Sequence, residues 1–247
     1  MADRSAPNPV SELRRVHENV TGHGFALTTE WDIGLPVKCA KNLRETYFDG
    51  GQLRHDEGDR PHDRERARDV ILYEWNNGKL ILEEYETIAI WDRSGIKGER
   101  IHKRIELLQD PQAREFIETF LSLVPEKRRQ PRGTFGVNLF RTHTDVVSKP
   151  HQDEEEFIFL YVLDREGDGA VSYLYNYDKQ NMGAEEIGGQ ILRKQLNPGD
   201  LMIFEDRRFK HGATPLTPPL GGRAKRDVLV CTVDFSTTYL KRHPVSS

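Results

Sequence analysis

The sequence predicts a mainly β protein with flanking helices, best fitted by a double-sheet, cupin-like jelly roll. Three observations carry this. From Gly133 the chain reads as short strands with no helical period between them: Thr134–Arg141, Phe157–Leu163, Ala170–Tyr177, Gln190–Leu196, Asp200–Glu205 and Asp227–Phe235. Turn-forming residues separate them, at Pro150, Gly167-Asp168-Gly169, Gly188-Gly189, Pro198-Gly199-Asp200 and Gly221-Gly222. Many short strands in succession bury their apolar faces by closing into a sandwich or barrel. Finally, 247 residues suffice for one sizeable core and are short for two. We therefore expect a single domain over 1–247, with a mixed helical and strand part at 1–132 and the jelly-roll core at 133–236.

The N-terminal elements follow from local signals. Ser11 is the expected cap of a helix through Leu13, Val16 and Val20, ended near Gly22. A second helix is expected from Val37 to Phe48, stopped by Gly50-Gly51. Residues 54–68 (RHDEGDRPHDRERAR) are polar enough to read as a mobile loop, with a lid over the site as its sharpest functional reading. Asp69–Trp75 and Lys79–Ile90 flank Asn76-Asn77-Gly78, a hairpin signal. The spacing of Ile101, Ile105, Leu107 and Leu108 does not decide between helix and strand. Pro111 then opens an amphipathic helix whose buried stripe is Phe116, Ile117, Phe120 and Leu121.

Composition excludes several partner classes. Thirty-six basic residues against 40 acidic ones give a net charge of -4, which offers no surface for nucleic acid or anionic membrane. The basic run Lys127-Arg128-Arg129 is too short to change that. No apolar stretch approaches the ~20 residues needed to span a bilayer, and Met1–Val20 lacks an apolar signal core. Of the two cysteines, Cys231 sits inside an apolar run and reads as a buried free thiol. A cytoplasmic protein with a small-molecule substrate is the expectation; the oligomeric state is open.

Three residues suggest chemistry. His151 and Asp153 lie two apart, and His211 follows 57 intervening residues later. Two imidazoles and one carboxylate on one face of a metal form the facial triad of non-haem iron(II) oxygenases. Such a set leaves adjacent positions for a bidentate 2-oxo acid and dioxygen. A second His-x-Asp, His143-Thr144-Asp145, lies eight residues upstream. We prefer His151 and Asp153, because they precede the apolar strand at Phe157, whereas His143 closes a strand and leads into a loop. The far carboxylate of 2-oxoglutarate needs a cation, and an arginine fork binds a carboxylate through two parallel bonds. Arg226, at the start of the last strand, is preferred over Arg223 in the Gly-rich loop before it.

The segment Leu201-Met-Ile-Phe-Glu-Asp-Arg-Arg-Phe-Lys-His211-Gly-Ala-Thr-Pro215, followed by Arg226-Asp-Val-Leu-Val230, resembles a bacterial family of iron/2-oxoglutarate dioxygenases. Its best-known members are free amino-acid hydroxylases of the L-isoleucine dioxygenase type. The resemblance is good over about 134–236 and loose over the N-terminal third. It implies a distorted double-stranded β-helix, His151, Asp153 and His211 as ligands of Fe(2+), Arg226 on 2-oxoglutarate, and O2 as the oxidant. The implied reaction is hydroxylation of an aliphatic C–H bond on a small amino acid. Glu154-Glu155-Glu156 departs from the glycine that often follows the ligand aspartate. That run reads either as a solvated acidic loop or as negative charge favouring a cationic amine. A cupin-like metal enzyme without 2-oxoglutarate, a zinc hydrolase and a non-catalytic jelly-roll binding protein stand as the alternatives at this point.

Overall fold

The computed structural model describes residues 8–55, 64–85, 89–91, 99–101, 104–143, 150–153, 155–177, 189–220 and 222–234. The first helix, α1 (Pro9–His23), is capped by Asn8 rather than Ser11. Asn8 Oδ1 accepts from Ser11 N at 3.3 Å, and Pro9 fits the first helical position because its missing N–H would be unused there. The helix runs past Gly22 to Gly24, whose φ of 83° closes it with a bond to Val20 O. Strand β1 (Phe25–Thr29) follows. The expected helix from Val37 to Phe48 divides into α2 (Val37–Asn42) and a π-helical turn over Leu43–Phe48. The wider turn brings Leu43, Tyr47 and Phe48 into the core together.

Next come β2 (Arg54–His55), β3 (Glu65–Asn76) and β4 (Lys79–Glu84). Asn77 and Gly78, at φ 49° and 78°, form the two-residue turn between β3 and β4. The polar segment 54–68 is not a loop throughout: 54–55 and 65–68 are strand, and 56–63 lie outside the described residues. Residues 65–68 are held by partners the local sequence does not reveal, Asn138 to Arg141 of the neighbouring strand, while Ala67 fills the core. The run expected to continue to Ile90 stops at Glu84. A separate ladder pairs β5 (Ala89–Trp91) with β6 (Glu99–Ile101). Helix α3 (Pro111–Ser122) is as expected. Asp110 caps it, and Ala113, Phe116, Ile117, Phe120 and Leu121 are buried.

The remaining strands are β7 (Arg132–Thr142), β8 (Phe157–Glu166), β9 (Asp168–Gly169), β10 (Val171–Asn176) and β11 (Gln190–Gln195). They are followed by β12 (Asp200–Glu205), β13 (Phe209–Ala213), β14 (Leu216–Thr217) and β15 (Lys225–Asp234). All six predicted strands are present. Strands β1, β6, β9, β13 and β14 were not foreseen, and β9 falls where Gly167-Asp168-Gly169 reads as a turn. In β13 the sequence Phe-Lys-His-Gly-Ala offers little apolar alternation, and its pairing to β10 supplies what propensity does not.

These strands form a jelly roll. A large sheet runs in the order β1-β12-β8-β15-β7-β3-β2, with β4 on β3, and it faces the small sheet β11-β10-β13. Ile158, Val162, Met202, Phe204 and Val228 of the large sheet pack against Leu174 and Phe209 of the small one. The opposite face of the large sheet, including Phe159, Tyr161, Leu229 and Cys231, packs on the helices, with Phe116 and Phe120 at the centre. Cys39 and Cys231 are both free and buried. No described helix is long and apolar enough to cross a membrane.

Asp69 ties the segment before α3 to the sheet. It is fully buried on the helix side of β3. Its carboxylate accepts from Leu107 N (2.9 Å), Val70 N (2.9 Å) and Arg104 Nε (3.2 Å). Asp69→Ala would leave the buried N–H of Leu107 and half of the Arg104 pairing without an acceptor. We expect a loss of about 3 kcal/mol in the urea unfolding free energy. A loss below about 1 kcal/mol would mean the segment is held by packing alone.

Candidate metal centre

His151 reaches the site by a route the sequence did not predict. It does not open β8. It forms an isolated antiparallel bridge to His211 of β13, with His151 N on His211 O at 3.0 Å and His211 N on His151 O at 2.9 Å. Asp153 lies in the connection that follows, outside any strand, so alternation along a strand does not explain its position. The bridge sets the two imidazoles side by side, with ring centroids 4.3 Å apart.

Asp153 closes the group. Its Oδ1 is 3.6 Å from His151 Nε2 and its Oδ2 is 3.6 Å from His211 Nε2. One ligand atom from each residue fits within 4.8 Å of the others. Donors each ~2.1 Å from a common cation lie at most ~4.2 Å apart, and both Asp153 distances fall within that limit. The side chain of His211 is 8% exposed, against 36% for His151 and 40% for Asp153, so the group is walled on one side and open on the other. Two nitrogens and one carboxylate suit a first-row divalent metal that keeps free positions.

Asp206, which sequence reasoning missed, organises this geometry. It is fully buried in a 3-10 turn (Asp206–Arg208) between β12 and β13. Its Oδ2 accepts from Asp153 N (2.9 Å) and Glu155 N (3.1 Å), and its backbone oxygen accepts from Gln152 Nε2 (2.8 Å). Its Oδ1 lies 3.2 Å from His211 Nδ1, off the line of an ideal hydrogen bond. A carboxylate behind Nδ1 favours a proton there and leaves Nε2 to face Asp153. An acidic residue in the turn leading to the candidate ligand His211 was the available signal. Phe204 packs its ring 5.0 Å from His211 on the other side.

The second His-x-Asp does not join the group. His143 directly follows β7, with Nδ1 3.2 Å from Ala224 O, while Thr144 and Asp145 lie outside the described residues. The acidic run is heterogeneous. Glu156 pairs with Arg207 at 2.7 Å. Glu155 buries Oε2 with no hydrogen-bond partner among the described residues; desolvation, then Asp234, against the opposing charge of Arg68, push its pKa up to about 8. Glu154 lies outside the described residues.

Arg226 is 5% exposed in β15, opposite Thr142 of β7 and Arg165 of β8. It shares its face of the strand with Val228, inside the roll. Its Nε and Nη2 are buried and meet no hydrogen-bond partner among the described residues. Burial, with the Arg165 charge beside it, lowers its pKa to about 10, so it is still a cation at neutral pH. A buried cation with an open fork is incomplete without an anion. Arg223, the alternative, is exposed.

Comparisons with known proteins bear on the family and the fold. A family model described as 2OG-Fe dioxygenase matches residues 84–232. No curated protein matches the sequence. Among solved structures, a bsmA homologue from Methylobium petroleophilum PM1 is 20% identical, with 94% of each chain covered and a TM-score of 0.71. The structure titled IDO from Bacillus thuringiensis is 15% identical, covering 91% of this chain and 99% of that one, with a TM-score of 0.65. TqaL, titled an Fe(II)/(alpha)ketoglutarate-dependent dioxygenase, is 11% identical, covering 92% and 87%, with a TM-score of 0.70. At these identities the likeness is one of fold.

Cobalt(II) offers a direct check of the group. The expected result is one visible-absorbing Co(II) per chain, lost in Asp153→Ala and His211→Ala and retained in His143→Ala. Asp206→Ala should weaken Co(II) binding roughly 10- to 100-fold. Loss of cobalt in His143→Ala with no effect of Asp153→Ala would move the site to the upstream pair.

Proposed function

The chain belongs to the 2OG-Fe dioxygenase family, and from that premise we propose that His151, Asp153 and His211 hold its iron, that Arg226 grips the far carboxylate of 2-oxoglutarate, and that the enzyme hydroxylates an aliphatic C–H of a free amino acid or a similar small amine-bearing metabolite. The family's cofactors are Fe(2+), 2-oxoglutarate and O2. When bound, they supply an oxidant able to attack an unactivated C–H bond, with 2-oxoglutarate converted to succinate and CO2.

The chain's own contribution is positioning. Asp206 orients His211 and the backbone at Asp153, so the ligand set is held before metal arrives. Arg226 presents Nε and Nη2, one edge of its guanidinium, which is the geometry a carboxylate meets with two parallel bonds. This buried open fork is the single observation that carries the oxo-acid reading over a cupin-like enzyme without 2-oxoglutarate. Phe204 and the apolar layer between the sheets limit water at the closed side of the site.

The amino-acid reading draws on one buried acid. Glu155, two residues after Asp153, buries a carboxylate oxygen that has no hydrogen-bond partner among the described residues and that an ammonium group would satisfy. The two free buried thiols fit a reducing cytoplasm, the location we infer.

The test is a screen of free amino acids for substrate-stimulated succinate release by the Fe(II)-loaded protein under O2. We expect succinate to form in step with a hydroxylated amino acid. We also expect Arg226→Met to raise the Kd for 2-oxoglutarate by about 10- to 100-fold with the fold intact. A folded, iron-loaded wild type that binds no 2-oxoglutarate would overturn the assignment. Succinate release stimulated only by compounds without an amine would overturn the substrate class.

A further inference from the structure

We propose that Arg165 is a second cosubstrate-binding residue, forming with Arg226 a two-arginine clamp on the distal carboxylate of 2-oxoglutarate. This rests on the reading of Arg226 above and extends it to a residue that neither the motif nor the family match singles out. The starting point is a β-bulge. Val228 pairs with Val162, but the next pair is Asp227 with Asp164, so β8 carries one extra residue, Leu163, against β15. In a regular ladder Asp164 would stand opposite Arg226 and neutralise it. The bulge puts Arg165 there instead, and two like charges face each other across the strands.

Neighbouring acids are diverted from both arginines. Asp164 bonds Lys225 Nζ at 2.9 Å. Asp227 is engaged by Arg141, through Nε at 2.8 Å and Nη2 at 2.7 Å. Arg165 spends only Nη2 on a protein partner, Asn197 Oδ1 at 3.2 Å; its Nε and Nη1 are buried without one among the described residues. Arg226 contributes Nε and Nη2 in the same condition. Two adjacent guanidiniums with four unsatisfied nitrogens, and with the nearest acids turned elsewhere, form a site for an anion. A carboxylate with two oxygens and about four lone-pair directions matches it. The clamp would select dicarboxylic oxo acids over monocarboxylic ones of the same length.

The experiment measures binding, without turnover, in anaerobic Fe(II)-loaded enzyme. Titrations with 2-oxoglutarate and with 2-oxopentanoate, which lacks the distal carboxylate, give Kd values for wild type, Arg165→Met and Arg165→Lys. The expected result is an approximately tenfold weaker Kd for 2-oxoglutarate in Arg165→Met, a 2-oxopentanoate Kd within about twofold of wild type, and partial recovery in Arg165→Lys. Equal weakening for both acids, or none for either, in a variant that melts like wild type would overturn the clamp. If Arg165→Met does not fold, Arg165→Lys decides: it keeps the charge but loses the fork, and unchanged discrimination between the acids would count against Arg165. A wild type that does not discriminate between the acids would overturn the Arg226 reading itself, a result distinct from failure of the clamp.

Discussion

Two backbone hydrogen bonds between His151 and His211 set the geometry on which the rest of the site depends. They join a residue of an otherwise irregular connection to a strand of the small sheet, and so fix the relation between two proposed ligands far apart in sequence. Asp206 then holds Asp153 to the same point, through the backbone N–H groups of Asp153 and Glu155. One buried carboxylate thus serves the loop bearing one ligand and the ring of another. Full burial makes its acceptor capacity costly to leave unused, and here the protein supplies donors to Oδ2 and a ring nitrogen beside Oδ1.

The opposite situation holds at Arg226 and Arg165. There the protein keeps charges buried or half-buried and withholds the acids that would neutralise them. Asp227, adjacent in sequence to Arg226, turns to the helix side of the sheet and binds Arg141, while Asp164 turns to Lys225. Internal ion pairs at Arg226 would have made the interior self-sufficient and closed it to an anion. Keeping like charges together costs stability in the ligand-free chain, and a bound dicarboxylate would offset that cost. In physical terms, the electrostatic stability of the fold and the affinity of the site draw on the same two guanidiniums.

Much of this was legible in the sequence because it depends on local chemistry. The helix from Pro111 with its stripe of Phe116, Ile117, Phe120 and Leu121, the Asn77-Gly78 turn and the short apolar strands all follow from propensity and period. Features that depend on distant partners were less accessible. Residues 65–68 are polar and become strand only because β7 lies beside them. The helix at Val37 widens into a π turn for reasons of packing. In the site, the residue types at 151, 153, 211 and 226 were readable, but the reason His151 and Asp153 belong together was not. It lies in a bridge to β13, a strand the sequence hides. Asp206, signalled only by its place just before His211, and Arg165 were missed for the same cause: the first acts through a turn, the second through a bulge.

The phrase His-Gly-Ala-Thr-Pro shows how a motif can be diagnostic without each residue touching the chemistry. A Cβ on Gly212 would lie 2.6 Å from Tyr173 Oη, so any side chain there would displace the Tyr173 ring that lies over it. Thr214 Oγ1 accepts from Val171 N at 3.0 Å, and Pro215 O accepts from Ala170 N at 3.0 Å. These contacts anchor the strand that carries His211 to the strand beside it, one ladder step after another. Displacement of that strand would move the His151 bridge with it and separate the imidazoles. The residues flanking His211 are therefore constrained by the same requirement as the ligands themselves, which is that a five-residue strand of low intrinsic β-propensity remain in register.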